Sequence, residues 1–318
     1  MVTIFDDHGL APQFLMDWVS SSQNNRNPND IGWRSVTELI GPPKPKLISE
    51  RLGDTLQVPA SSKIDAMIGD AVHRDIAQFV SRLKNAKSEK RLHVSLAGKK
   101  ISGQTDAIID NTLYDFKTRK ASQHAKGYTH SDELQLNCYV YLCAQNNIKI
   151  DEAIIISLCK NKASFDDFYS YEFFNIPIWT EEQQHDFLVE RIKIHEEADN
   201  NYYQFGALPS CTDNERWITP TTYKVRRFDW DEDFRNGKRP KDIAFATKSK
   251  STGRAKMYSE EEAQEHIEVA TPSMRKKLFI EAIPGNFIRC DNYCDVKDYC
   301  LQNNPIAPKI KELIDVES

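Results

Sequence analysis

The sequence predicts an α/β fold with a mixed central sheet flanked by helices, and three observations carry that expectation. Between Ile64 and Leu83 the apolar residues Ile68, Val72, Ile76, Phe79 and Leu83 recur every three or four positions, which predicts a helix with one buried face. Strand candidates follow at Leu92–Leu96, Lys100–Ile109 and Thr112–Lys117, the last two joined at Asp110-Asn111, a pair suited to a tight hairpin turn. Helical and strand patterns then alternate as far as about residue 203.

Taken in order, residues 1–60 form an entry segment that packs on the core, with Asn-rich and Pro-rich patches around a short helical candidate at Ser35–Ile40. After the helix and hairpin just described, Asp132–Gln145 reads as a helix on which Gln135 and Tyr139, four apart, share a face. Glu152–Leu158, with its Ala-Ile-Ile-Ile-Ser centre, reads as a buried strand, and Asp167–Phe174 as its neighbour. Thr180 opens a long helix running to about Tyr203: Gln183 is placed to complete a capping box, and Glu181 and Glu182 lie in the electropositive first turn. Beyond Cys211 come a strand (Tyr223–Phe228), a basic stretch, a helix (Ser259–Val269), a strand (Lys277–Ala282) and a cysteine-rich end. There is no internal repeat. The expected organisation is therefore an entry segment over 1–60, a core over 61–208 and a C-terminal lobe over 209–318.

At 318 residues the chain is long enough for one elaborated domain or two compact ones, and one core with an attached lobe is the reading adopted. A net charge of −5 excludes a basic nucleic-acid coat but says little about one groove. Locally, Lys238, Arg239, Lys241, Lys248, Lys250, Arg254 and Lys256 are opposed only by Asp242, with Arg226 and Arg227 just upstream. That stretch reads equally as a solvated charged loop or as an arm that tracks phosphates. The N-terminus lacks the basic start and apolar block of a signal peptide. No apolar run approaches the ~20 residues of a membrane span. The expectation is a soluble, cytoplasmic protein without membrane contact.

Seven cysteines in a chain of this size do not make a secreted disulfide framework. Cys138, Cys143 and Cys159 lie in an apolar helix and at the end of a strand, where cysteine behaves as a small hydrophobe. Cys290, Cys294 and Cys300 are spaced C-x3-C-x5-C, with Cys211 far upstream. Thiolates at such spacings suit zinc or an iron-sulfur cluster, and one ligand standing alone against three argues against zinc, whose structural sites usually arrive as two close pairs.

The hairpin carries the chemistry. Asp106 sits near the end of one strand, and Asp115 and Lys117 on the next point the same way because side chains alternate faces. Two hard oxygen donors suit Mg²⁺ or Mn²⁺, an ion that polarises a phosphoryl oxygen and lowers the pKa of an attacking water. A neighbouring ammonium can orient that water or stabilise developing charge. Asp-x-Lys alone is a weak sign, with a surface ion pair as the plain alternative; Gly103-x-x-Asp106, an apolar strand, a turn and Tyr114-Asp115-Phe116-Lys117 together make a composite pattern.

With Gly69-x-x-x-His73 ahead of that composite and Gln135-x-x-x-Tyr139 behind it, the sequence resembles the PD-(D/E)xK nuclease superfamily, in its RecB-like branch with a C-terminal iron-sulfur cluster. It is similar there to phage exonucleases, CRISPR-associated iron-sulfur exonucleases and AddB-type nuclease domains. The resemblance runs roughly from Ser35 to Cys300 and implies a restriction-endonuclease-like core with a C-terminal iron-sulfur lobe. It implies a metal held by His73, Asp106, Asp115 and the backbone carbonyl of Phe116, catalysis by Lys117, and support of the site or DNA contact by Gln135 and Tyr139. It also implies a [4Fe-4S] cluster on Cys211, Cys290, Cys294 and Cys300, with zinc as the alternative. Thr105 stands where the superfamily name has a proline, and the basic stretch from Phe234 to Lys256 is longer than a minimal lobe. No phosphate-loop motif is present, so an ATP-driven motor would be another chain.

The function implied is divalent-metal-dependent hydrolysis of DNA, single-stranded or with free ends, by an exonuclease. Two alternatives stand beside it: a DNA-binding or assembly module that kept the fold, and a nuclease clamped by zinc without iron. Homo-oligomerisation, recombination or replication partner proteins, and a phage origin with action in the host cytoplasm are all open at this point.

Overall fold

Two adjacent segments of alternating side chains build the hairpin around which a mixed sheet forms. The computed structural model describes residues 3–7, 9–21, 32–164, 168–228, 236–237 and 256–304. By internal contacts the chain divides into two units, Met1–Cys211 with Asp295–Ser318, and Thr212–Cys294.

The first unit begins with β1 (Thr3–Phe5), α1 (Gln13–Ser21), β2 (Arg34–Ser35), α2 (Val36–Leu39), α3 (Pro43–Leu52) and β3 (Gln57–Pro59). The long helix α4 (Ile64–Val80) follows, then β4 (Ala86–Leu96), β5 (Lys99–Ile109) and β6 (Thr112–Arg119). A short α5 (Ala121–His124), α6 (His130–Gln145), β7 (Glu152–Cys159), β8 (Tyr171–Asn175) and α7 (Glu181–Phe205) complete the order. Six strands make one sheet in the order β2-β5-β6-β7-β8, with β4 paired to β5. The β4–β5, β5–β6 and β7–β8 pairs are antiparallel, whereas β2–β5 and β6–β7 are parallel, so the sheet is mixed and flanked by helices as expected. A parallel β6–β7 pair needs a crossover, which α5 and α6 supply.

Asp110 takes the left-handed conformation, φ 53°, that the two-residue turn between Ile109 and Thr112 demands. α6 is buried on most sides, with Leu136, Cys138, Tyr139, Val140, Tyr141, Leu142 and Cys143 all in the main core alongside Leu113, Ile155, Leu188 and Ile192. Capping boxes start α6, at Thr129 with Asp132, and α7, at Thr180 with Gln183.

The strand expected over Asp167–Phe174 is β8 at Tyr171–Asn175, with Asp167 itself outside the described residues, and two further elements depart from expectation. In α4 the stripe read as buried is partly exposed, with Ile68 at 42% and Phe79 at 63%, while Met67 and Val80 are buried. The side of the helix that meets the sheet carries Gly69, beside Thr118, and His73, beside Asp106, which turns part of the apolar stripe outward. Periodicity located the helix and misjudged its rotation. β4 starts at Ala86 rather than Leu92, because Lys87, Ser88, Lys90 and Arg91 of the charged run pair with β5 through backbone groups that no side-chain pattern reveals.

The second unit contains β9 (Thr222–Arg227), α8 (Glu260–Glu268), α9 (Pro272–Arg275), β10 (Leu278–Ile283) and α10 (Ile288–Asn292). β9 and β10 pair antiparallel, and Val225, Tyr258 and Ala263 form a small core between them and α8. Among the described residues no helix is long and apolar enough to cross a membrane.

Candidate metal centre and catalytic site

The ladder between β5 and β6 covers only Ala107↔Tyr114 to Ile109↔Thr112. One residue beyond it, Asp106 Oδ2 accepts the Phe116 N–H at 2.8 Å. A backbone donor at the mouth of the opening thus finds a side-chain acceptor, which fixes the Asp106 carboxylate between two diverging strands. Asp106 Oδ1 lies 3.3 Å from His73 Nδ1 on α4.

The opposite neighbour of Asp106 is a residue the sequence reading passed over. The β4–β5 register places Ser88 against Ala107 and Lys90 against Thr105, so Glu89 stands across from Asp106. Its backbone is left-handed, φ 49°, and Gln104 Nε2 donates to its Oε2. His73, Glu89 and Asp106 present donor atoms all within 4.8 Å of one another. The missed signal was register: carrying the pairing of Leu92 with Gly103 back along β4 puts Glu89 opposite Asp106.

Asp115, next to Phe116 on β6, is engaged differently. Its Oδ2 is 2.8 Å from Lys117 Nζ, in an ion pair whose geometry falls short of a directed hydrogen bond, and the carboxylate is almost fully buried. Lys117 Nζ also donates to Gln135 Oε1 at 2.9 Å, and Gln135 Nε2 donates to the Tyr139 hydroxyl at 3.0 Å. The predicted side chains are therefore brought together in two connected sets: His73 with Asp106, and Asp115 with Lys117, Gln135 and Tyr139. Phe116 enters through its amide.

Packing holds the second set. Gly103 on β5 faces α6 so closely that a Cβ there would lie 2.8 Å from Tyr139 Cε1 and 3.0 Å from Leu142 Cδ2. Arg119, two residues along β6 from Lys117, pairs with Asp132 at 2.6 Å in a nearly buried contact, and Asp132 also caps Thr129. That clamp sets the start of α6, and hence Gln135 and Tyr139, against Lys117.

Electrostatics follow from this crowding. Burial raises the Asp115 pKa to about 6, against the pull of Lys117. Burial also raises Glu89, and the neighbouring Asp106 charge adds to the effect while the Gln104 hydrogen bond opposes it. The Asp106 hydrogen bond raises His73, outweighing burial. For Lys117 burial acts downward, but the Asp115, Asp132 and Asp106 carboxylates prevail and hold the ammonium above its usual range, so it is charged at neutral pH. Two carboxylates with raised pKa values, Asp115 and Glu89, in one place are a setting that a divalent cation relieves.

None of the seven cysteines forms a disulfide. Burial pushes Cys138 and Cys143 up to about 12, consistent with small hydrophobes, and Cys159 is half-buried. In the first unit, the Gln302 side chain accepts from the Cys211 N–H at 2.9 Å and donates to its carbonyl at 2.8 Å, which brings Cys211 beside the turn that holds the buried Cys300. In the second unit, Cys290 lies on α10 and Cys294 just beyond its end. Of the basic residues, Arg226 is committed to Glu281 through two hydrogen bonds of 2.7 and 3.0 Å, Arg227 is exposed on β9, and Lys256 lies over the Tyr258 ring at 4.8 Å. Lys238, Arg239, Lys241, Lys248, Lys250 and Arg254 lie outside the described residues.

No protein-family model matches the sequence, and neither does any curated protein. Among solved structures the chain is similar to SSO0001, at 19% identity and a TM-score of 0.43 over 57% of this chain and 85% of that one. It is also similar to a phage-related exonuclease from Haemophilus somnus 129PT, at 13% identity and a TM-score of 0.35 over 55% of this chain and 96% of that one. The functional reading therefore rests on the geometry of the site.

Proposed function

We propose that this protein is a divalent-metal-dependent DNA nuclease acting as an exonuclease, with Mg²⁺ or Mn²⁺ as its ion. The observation that carries the reading is the convergence of nitrogen and oxygen donors from His73 and Asp106 within reach of one ion, beside a buried, charged Lys117 paired with Asp115. Hard carboxylate oxygens with one imidazole suit Mn²⁺ and Mg²⁺. His73, Asp106, Asp115 and the Phe116 carbonyl would hold the ion, which when bound supplies positive charge to polarise a phosphoryl oxygen and ease ionisation of a water.

The rest is the work of this chain's own side chains. Lys117 keeps a positive charge where negative charge develops on the phosphate, and Gln135, steadied by Tyr139, holds that ammonium in one direction. The Phe116 amide holds Asp106 in a single orientation, so neither carboxylate must be arranged as the reaction begins. A [4Fe-4S] cluster on Cys211, Cys290, Cys294 and Cys300 is proposed from the resemblance in sequence, with a structural role and with zinc as the alternative.

The test uses end-labelled linear DNA, single- and double-stranded, against a covalently closed circle, with Mg²⁺ and with Mn²⁺. The expected result is degradation of linear substrates only, abolished by Lys117→Ala. Intact DNA in every arm would sink the proposal, and cutting of the circle would replace exonuclease with endonuclease.

A further inference from the structure

We propose that Glu89 is a direct ligand of the divalent ion, so that His73 from α4, Glu89 from β4 and Asp106 from β5 form one three-donor cradle. The inference builds on the metal-dependent reading above and adds a residue to it that no motif marks.

Three observations support it. The donor atoms of His73, Glu89 and Asp106 all lie within 4.8 Å of one another, so one ion can touch all three. Like charges directly opposite on paired strands destabilise a sheet, and Glu89 stands across from Asp106, which the His73 imidazole also approaches at 3.3 Å; a bound cation converts that repulsion into attraction. A third carboxylate, Asp115, is buried near enough for its charge to raise His73 and to be raised itself by Asp106, which adds to the negative charge that a cation would neutralise.

Local structure prepares Glu89 for the role. Its left-handed backbone interrupts the regular run of β4 where the side chain must meet Asp106, and the Gln104 amide holds the carboxylate through Oε2. Two carboxylates and one imidazole favour Mn²⁺ over Mg²⁺ or Ca²⁺, because nitrogen donors bind the transition metal more strongly.

The test titrates Mn²⁺ into the metal-stripped full chain by calorimetry and by electron paramagnetic resonance of the free ion. Glu89→Gln keeps an acceptor for Gln104 and should weaken Mn²⁺ binding at least about tenfold, with Glu89→Asp falling between it and the unaltered chain. Circular dichroism confirms that each variant is folded. Equal affinity in the unaltered and Glu89→Gln chains overturns the assignment of Glu89 alone; no Mn²⁺ binding by the unaltered chain overturns the metal reading and this assignment with it. Crystals of the unaltered chain soaked in Mn²⁺ decide the matter without any variant. An anomalous peak bonded to His73, Glu89 and Asp106 supports the cradle, and one bonded to His73 and Asp106 but not to Glu89 refutes it.

Discussion

Asp115 is held by opposing demands: burial favours its neutral form, and the Lys117 ammonium favours the carboxylate. Burial prevails, and the consequence is a pH dependence with a definite sign. A raised pKa means that the folded protein binds more protons than the unfolded chain, so the associated stability is full below 3.8 and is lost as pH climbs through about 6. Glu89 and His73 are also raised and act in the same sense, over windows that begin at 4.5 and 6.5. In EDTA, thermal stability should therefore fall from pH 4 to pH 7 by more in the unaltered protein than in Asp115→Asn, by on the order of 2 kcal/mol. Parallel stability curves would show that Asp115 is not strained. At this scale the candidates His73, Asp106, Asp115, Lys117, Gln135 and Tyr139 were legible as a pattern because they fall at short fixed spacings along α4, β5, β6 and α6. Glu89 was not, since a glutamate in a charged run looks like solvated surface.

Two contacts, one small and one charged, seat α6 against the sheet at the site. Gly103 lets β5 approach α6 until Tyr139 and Leu142 touch its backbone, which gives the glycine of the Gly103-x-x-Asp106 pattern a physical reason. Gly103→Ala should cost about 1–3 kcal/mol in urea denaturation through overpacking, and should lower the rate of the proposed nuclease by displacing Tyr139 from Gln135. A variant as stable and as active as the unaltered chain would remove the reason given for that glycine. Arg119 and Asp132 tie the end of β6 to the cap of α6, so the strand bearing Lys117 and the helix bearing Gln135 are set against each other by a buried ion pair. Strand limits within the hairpin, the Thr180 capping box and the long helix after it were legible, because their determinants lie within a few residues of one another. The extent of β4 and the rotation of α4 were not, because both depend on what the element packs against.

For the molecule as a whole, the chain forms one unit from 1–211, returns to it from residue 295, and makes a second unit in between. Cys211 and Cys300 fall in the first, Cys290 and Cys294 in the second. Protein purified without oxygen should be brown and contain iron and sulfide in equal amount. Serine at Cys211, Cys290, Cys294 or Cys300 should remove the colour, whereas serine at the half-buried Cys159 should leave it. Zinc without iron or sulfide would reject the cluster in favour of the zinc alternative.

By itself the sequence determined the alternation of helix and strand, the hairpin and the spacing of the donor motifs. Those features follow from periods of 3.6 and 2 residues and from local turn and capping chemistry, all of which act over a short stretch of chain. Only the tertiary structure decided that Glu89 faces Asp106, that Asp115 pairs with Lys117, and that Gly103 seats Tyr139. Strand register and helix docking are set by which buried surfaces fit, and that is a property of distant segments meeting rather than of either segment alone.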